Sequence, residues 1–182
     1  MAINFKASFV ADGQVLKLDS KTNKYEPKGV NFVKLSPTDT LDLKTTSRVA
    51  KDWDHWIAYN VYDGLYYNVD SLDTYALTEQ TKNLKKLDSN KILGLAQIRK
   101  NNNKERNLEY LIVKPDYEAE NLDIRKFKKV GTEILNCIKR IFPKDTIKVG
   151  SLPSVINFYK KNGFKEGSTY SCILSWKNLI KK

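Results

Sequence analysis

Two cysteines and one histidine in 182 residues leave little from which to build a disulfide framework or a Cys/His metal centre. Cys137 and Cys172 are too few for a stapled secreted scaffold, so a reducing, cytoplasmic compartment is the expectation. No His or Cys spacing suggests a metal site, and none is expected. No run of about 18 apolar residues occurs, which argues against a membrane-spanning helix. The first residues, "MAINFKASFVADGQV", lack the basic start and apolar core of a signal peptide. There is no internal repeat, no low-complexity linker and no G-x-x-x-x-G-K-[ST] phosphate loop.

What is present suits one domain over residues 1–182: 41% of residues are hydrophobic and 29% charged. The formal net charge is +11. Residues 125–182 hold 14 of the 32 basic residues and 3 of the 21 acidic ones, so the whole excess lies in the last third. A concentrated positive field favours an anion: a phosphate-rich cofactor, a nucleic acid or an acidic surface. The plain alternative is a solvated, lysine-rich face.

The pattern of elements is mixed. "NFKASFVADGQVLKL" predicts a hairpin with Asp12-Gly13 as its turn. Gly29–Leu35 reads as a strand, and Ser36, Pro37 and Asp39 predict a helix capped by Ser36 that runs to about Trp53. Residues 53–70, rich in Trp and Tyr and holding the single histidine, His55, fit no clear period. Three strands follow as a meander: Asp73–Gln80, Lys91–Lys100 and Asn107–Pro115. "RKFKKVGTEILNCIKRIF" carries apolar residues at helical spacing and stops at Pro143. A strand at "TIKVGS", a helix "PSVINFYKKNG" ended by Gly163 and a last strand "STYSCILSWK" complete the chain. Such alternation predicts an α+β fold, with a mixed, mostly antiparallel central sheet flanked by helices.

The junction most suggestive of chemistry is the strand "LEYLIV" leading to "KKVGTEIL". A helix start presents unpaired N–H groups and a positive dipole end, both suited to phosphate. Gly131 allows close backbone approach, and Lys126, Lys128 and Lys129 add charge. Downstream, Tyr159 in "NFYKKNGF" reads by itself as a tyrosine packed at a helix end. Cys137 and Cys172 read as structural residues. His55 reads as a packed or surface residue.

In order and spacing, "LEYLIVKPDY", "KFKKVGTEIL" and "VINFYKKNGF" resemble the GCN5-related N-acetyltransferase (GNAT) superfamily. They are similar to its fourth strand, its pyrophosphate loop and its later tyrosine-bearing helix. The resemblance covers about residues 29–175 and leaves residues 1–28 as an N-terminal hairpin extension. Lys126 stands where the family usually has Gln or Arg, and Lys129 where it has its first glycine. The resemblance implies a three-layer fold and an acetyl-CoA-dependent transfer of acetyl to a primary amine. It implies pantetheine contacts at Leu111, Ile112 and Val113, and a pyrophosphate loop formed by Lys126, Lys128, Lys129, Val130, Gly131 and Thr132. It places Tyr159 beside the coenzyme A sulfur as general acid.

A proton acceptor for the amine is expected from Glu109, which shares a strand face with Leu111 and Val113 unless a bulge intervenes. Glu79 is a weaker candidate, and water is the other. The aromatic stretch 53–70, with Asp52, Asp54, Asp63 and Asp70, is the candidate acceptor side. Two other functions compete: an RNA-directed acetyltransferase acting on aminoacyl-tRNA, and a non-catalytic acyl-CoA- or nucleic-acid-binding module. The acceptor's identity, and whether the chain is a monomer or homodimer, do not follow from the sequence.

Overall fold

Gly13 lies in the middle of a strand, not in a turn. In the computed structural model, which describes residues 6–102, 104–117, 125–166 and 172–177, strand β1 runs unbroken over Ser8–Asp19 and pairs antiparallel with β2, Lys24–Lys34. The turn between them is residues 20–23, closed by the Asn23 N–H donating to the Asp19 carbonyl at 2.9 Å, with Asn23 at φ 53°. The glycine at 13 serves a different need. A Cβ there would lie 2.6 Å from Oε1 of Glu133, so Gly13 lets β1 pass close beneath a helix.

Helix α1 spans Thr40–Trp53. Its cap is Asp39, not Ser36: Asp39 Oδ1 accepts from the N–H groups of Leu41 at 2.7 Å and Asp42 at 3.2 Å. The Ser36 N–H instead donates to Asp42 Oδ2 at 2.8 Å. The aromatic stretch forms helix α2, Trp56–Tyr66, capped by His55, whose Nδ1 accepts from the Ile57 N–H at 3.1 Å. Strands β3 (Leu72–Thr78), β4 (Ile92–Asn102) and β5 (Glu105–Val113) form the meander. The segment expected to open the next helix at Arg125 first makes a two-residue strand, β6 (Phe127–Lys128), so α3 begins at Val130 and ends at Ile141. Phe127 is fully buried, and its pairing with Lys17 of β1 keeps it extended. Strand β7 (Thr146–Gly150), helix α4 (Ile156–Lys161) and strands β8 (Lys165–Glu166) and β9 (Ile173–Trp176) follow. Gly163, at φ +82°, ends α4 as expected.

The described strands form one sheet in the order β6-β1-β2-β3-β4-β5-β7-β9-β8, in which the β5–β7 pair alone is parallel. One face packs α1 and α2 over Val33, Ala76, Leu95 and Ile112. The other packs α3 over Phe32, Leu77, Leu93 and Leu108. The result is the mixed α+β, three-layer arrangement. Among the described residues no helix is long and apolar enough to cross a membrane.

Asp42 is fully buried in α1, and its Oδ1 has no hydrogen-bond partner among the described residues. Burial pushes its pKa up from 3.8 to about 6, and nearby Asp39 adds to the rise. A carboxyl with a raised folded-state pKa favours the protonated form in the fold. Its contribution is therefore whole below about pH 4 and is lost as pH rises through about 6. A shift of that size corresponds to about 3 kcal/mol. Asp42→Asn is expected to flatten the fall in the urea midpoint between pH 4 and 6. An unchanged pH slope in that variant excludes Asp42 as its origin.

Candidate functional site

A cleft opens where two parallel strands part. β5 and β7 pair from Glu105–Thr146 to Leu108–Val149 and no further. Beyond Leu108, β5 continues to Val113 with a strand partner on its β4 side only. At the parting point a register shift pairs Gln97 with Tyr110 and Ile98 with Leu108, which leaves Glu109 as the extra residue of a β-bulge. After the bulge Leu111 and Val113 pack toward the α3 side, and Tyr110 and Ile112 toward the α1–α2 side.

The opening is a cleft of about 670 Å³ between residues 108–113 of β5 and residues 149–152, which span the end of β7. The start of α3 forms one end. Its Lys129 N-cap sits in the left-handed region at φ 64° and makes no side-chain cap hydrogen bond, which leaves the first-turn N–H groups without a side-chain cap. Lys128, Lys129, Val130, Gly131 and Thr132 all line it. Gly131 is needed for packing as well. A Cβ there would be 3.1 Å from the Phe158 ring and 3.6 Å from Val113, so glycine lets α3 start against both α4 and β5.

Lys126 is exposed and does not line the cleft. Arg125, absent from the sequence expectations, does. Its Nη1 donates to the Tyr117 carbonyl at 3.3 Å, and its Nε is buried without a hydrogen-bond partner among the described residues.

Tyr159 of α4 lines the same cleft and is 7% exposed. Its ring is held edge-on between Phe158 and Phe164, at centroid distances of 5.1 and 5.5 Å. Its hydroxyl makes no hydrogen bond to a described residue, and burial pushes its pKa up to about 12. The phenol is therefore protonated throughout the neutral range. Glu109 lines the cleft with its Oε1 accepting from Arg99 Nε at 2.9 Å.

The far wall is aromatic. His55, an exposed Trp56 and Tyr110 line it, the Trp56 ring lying 6.1 Å from that of His55 and meeting Tyr110 edge-on at 6.3 Å. Asn60 Nδ2 donates to the Tyr110 hydroxyl at 3.4 Å. None of Asp52, Asp54, Asp63 or Asp70 lines the cleft. Glu79 lies elsewhere, paired with Lys17 at 3.0 Å. Cys137 is buried in α3 with its thiol pushed up to about 12 by burial, and Cys172 is exposed. No cluster of metal-ligating residues occurs among the described residues.

No protein-family model matches the chain, and no curated protein matches it. Solved structures do. One is a GNAT-family acetyltransferase from Streptococcus pneumoniae TIGR4, 17% identical, covering 78% of this chain and 91% of its own, with a TM-score of 0.51. Another is a GNAT-family protein from Desulfovibrio desulfuricans, 12% identical, covering 82% of this chain and 99% of its own, with a TM-score of 0.54. The parted parallel strands, the bulge at Glu109 and these matches together give this chain the fold of the GNAT superfamily.

Proposed function

We propose that this chain is an acetyl-CoA-dependent N-acetyltransferase that moves an acetyl group directly to a primary amine. One observation carries the reading. An uncapped helix start flanked by Arg125, Lys128 and Lys129 shares a single cleft with a largely buried tyrosine whose hydroxyl has no hydrogen-bond partner among the described residues. The first is suited to phosphates and the second to a leaving group that gains negative charge. Part of the basic excess in the last third is thereby accounted for, because Arg125, Lys128 and Lys129 all belong to it.

In the proposed reaction the pantetheine arm lies along the backbone of Leu111, Ile112 and Val113, and the pyrophosphate at residues 128–132. The amine nitrogen attacks the thioester carbon and the C–S bond breaks. The proton lost by the amine goes to Glu109, the one carboxylate among the described residues lining the cleft. The proton gained by the thiolate comes from Tyr159. The aromatic wall of His55, Trp56 and Tyr110 receives the acceptor.

Acetyl-CoA at about a hundred times its Kd is expected to stabilise the fold by about 2.7 kcal/mol. For a chain of this size that raises Tm by about 5–10 °C. No shift at millimolar acetyl-CoA would overturn the reading.

A further inference from the structure

We propose that the N-terminal hairpin is a clamp on the anion-binding segment, and that Tyr25 is the positioning residue through which it acts. This rests on the acetyl-CoA reading and names what holds the phosphate-bearing half of the cofactor. The Tyr25 hydroxyl donates to the Arg125 carbonyl at 2.6 Å and accepts from the Arg125 N–H at 3.1 Å. One hydroxyl thus satisfies both backbone polar groups of a residue 100 positions away. The Tyr25 ring also lies under Lys128, whose Nζ is 3.9 Å from its centroid.

Between these two cations the segment is fixed by the same hairpin. Leu18 N–H donates to the Lys126 carbonyl at 2.9 Å, and β6 pairs with Leu16 and Lys17 of β1. Phe127 is fully buried, with Tyr117 edge-on at 5.1 Å. Each of residues 125–128 is therefore held by β1, by β2 or by the core. Arg125 and Lys128, the two that Tyr25 touches, are the two that line the cleft. Cations set in place before the ligand arrives need little ordering on binding, and this is how such a clamp raises affinity.

Tyr25→Phe keeps the ring beneath Lys128 and deletes both hydrogen bonds to Arg125. Its expected effect is about a tenfold rise in the Kd of CoA and in the KM of acetyl-CoA, with kcat at saturation unchanged. S-Acetylpantetheine, which lacks the nucleotide, is expected to serve as donor equally well in variant and wild type. The Arg125 amide should exchange its hydrogen about tenfold faster in the ligand-free variant. Arg125→Gln, which leaves the Tyr25 contact in place, should show the same split between the two donors.

An unmoved CoA Kd in both variants overturns the clamp, as does an equal loss for both donors. Wild-type protein that binds neither CoA nor S-acetylpantetheine overturns the acetyltransferase reading itself.

Discussion

Tyr159→Phe is expected to lower kcat about 10²–10³-fold while leaving the Kd of acetyl-CoA within about twofold of wild type. The change removes one oxygen and keeps the ring that packs between Phe158 and Phe164, so the fold has little reason to respond. The hydroxyl has no partner among the described residues to orphan.

The objection to a phenol of pKa about 12 as an acid is that a thiolate is ordinarily a much weaker base. The burial that disfavours the phenolate would also disfavour a coenzyme thiolate formed beside it, which narrows that gap. Steady-state kinetics with any accepted amine, together with calorimetry of cofactor binding, separates the two effects. Wild-type kcat in the variant removes Tyr159 from the mechanism, and a large loss of affinity reassigns it to binding.

Gly94→Ala is expected to cost about 3 kcal/mol and to lower Tm by about 6–12 °C. Gly94 lies in β4 opposite Val113. A Cβ there would sit 2.6 Å from Cδ1 of Ile134 and 2.9 Å from the Ile112 carbonyl oxygen. The first contact is with the end of a fully buried side chain. The second is with backbone, and relieving it means moving β5. Because β5 is a wall of the cleft, the KM of acetyl-CoA should rise together with the fall in Tm. Gly29→Ala is the control: its Cβ would meet nothing within 4 Å, and its Tm should stay near wild type. A Gly94→Ala protein that melts with wild type refutes the packing argument.

The elements legible in the sequence are those specified by local pattern. The β3–β5 meander follows from apolar runs between turn residues, and α3 from its stripe of Val130, Ile134 and Ile138. Gly163 marks its own stop through a backbone angle that few other residues adopt. What was misread depends on distant partners. Asp12-Gly13 has the composition of a turn, but the glycine is there for Glu133, 120 positions on. Ser36 looks like a cap until Asp42, itself inside the helix, takes its N–H. Lys126 and Arg125 are indistinguishable by composition. Only the docking of Phe127 against β1 decides that Arg125 lines the cleft and Lys126 does not. The bulge at Glu109 shows only in how β5 registers on β4.

The contact between Tyr25 and Arg125 also sets an order of assembly. Closing a loop of 100 residues carries an entropic cost that local hairpins and helices do not meet, so such contacts form late. During synthesis the hairpin emerges before the segment it will hold. The tyrosine that would meet the thiolate comes later still, on a helix close to the other end of the chain. The cleft is thus completed only when the β1–β2 hairpin and α4 have both docked.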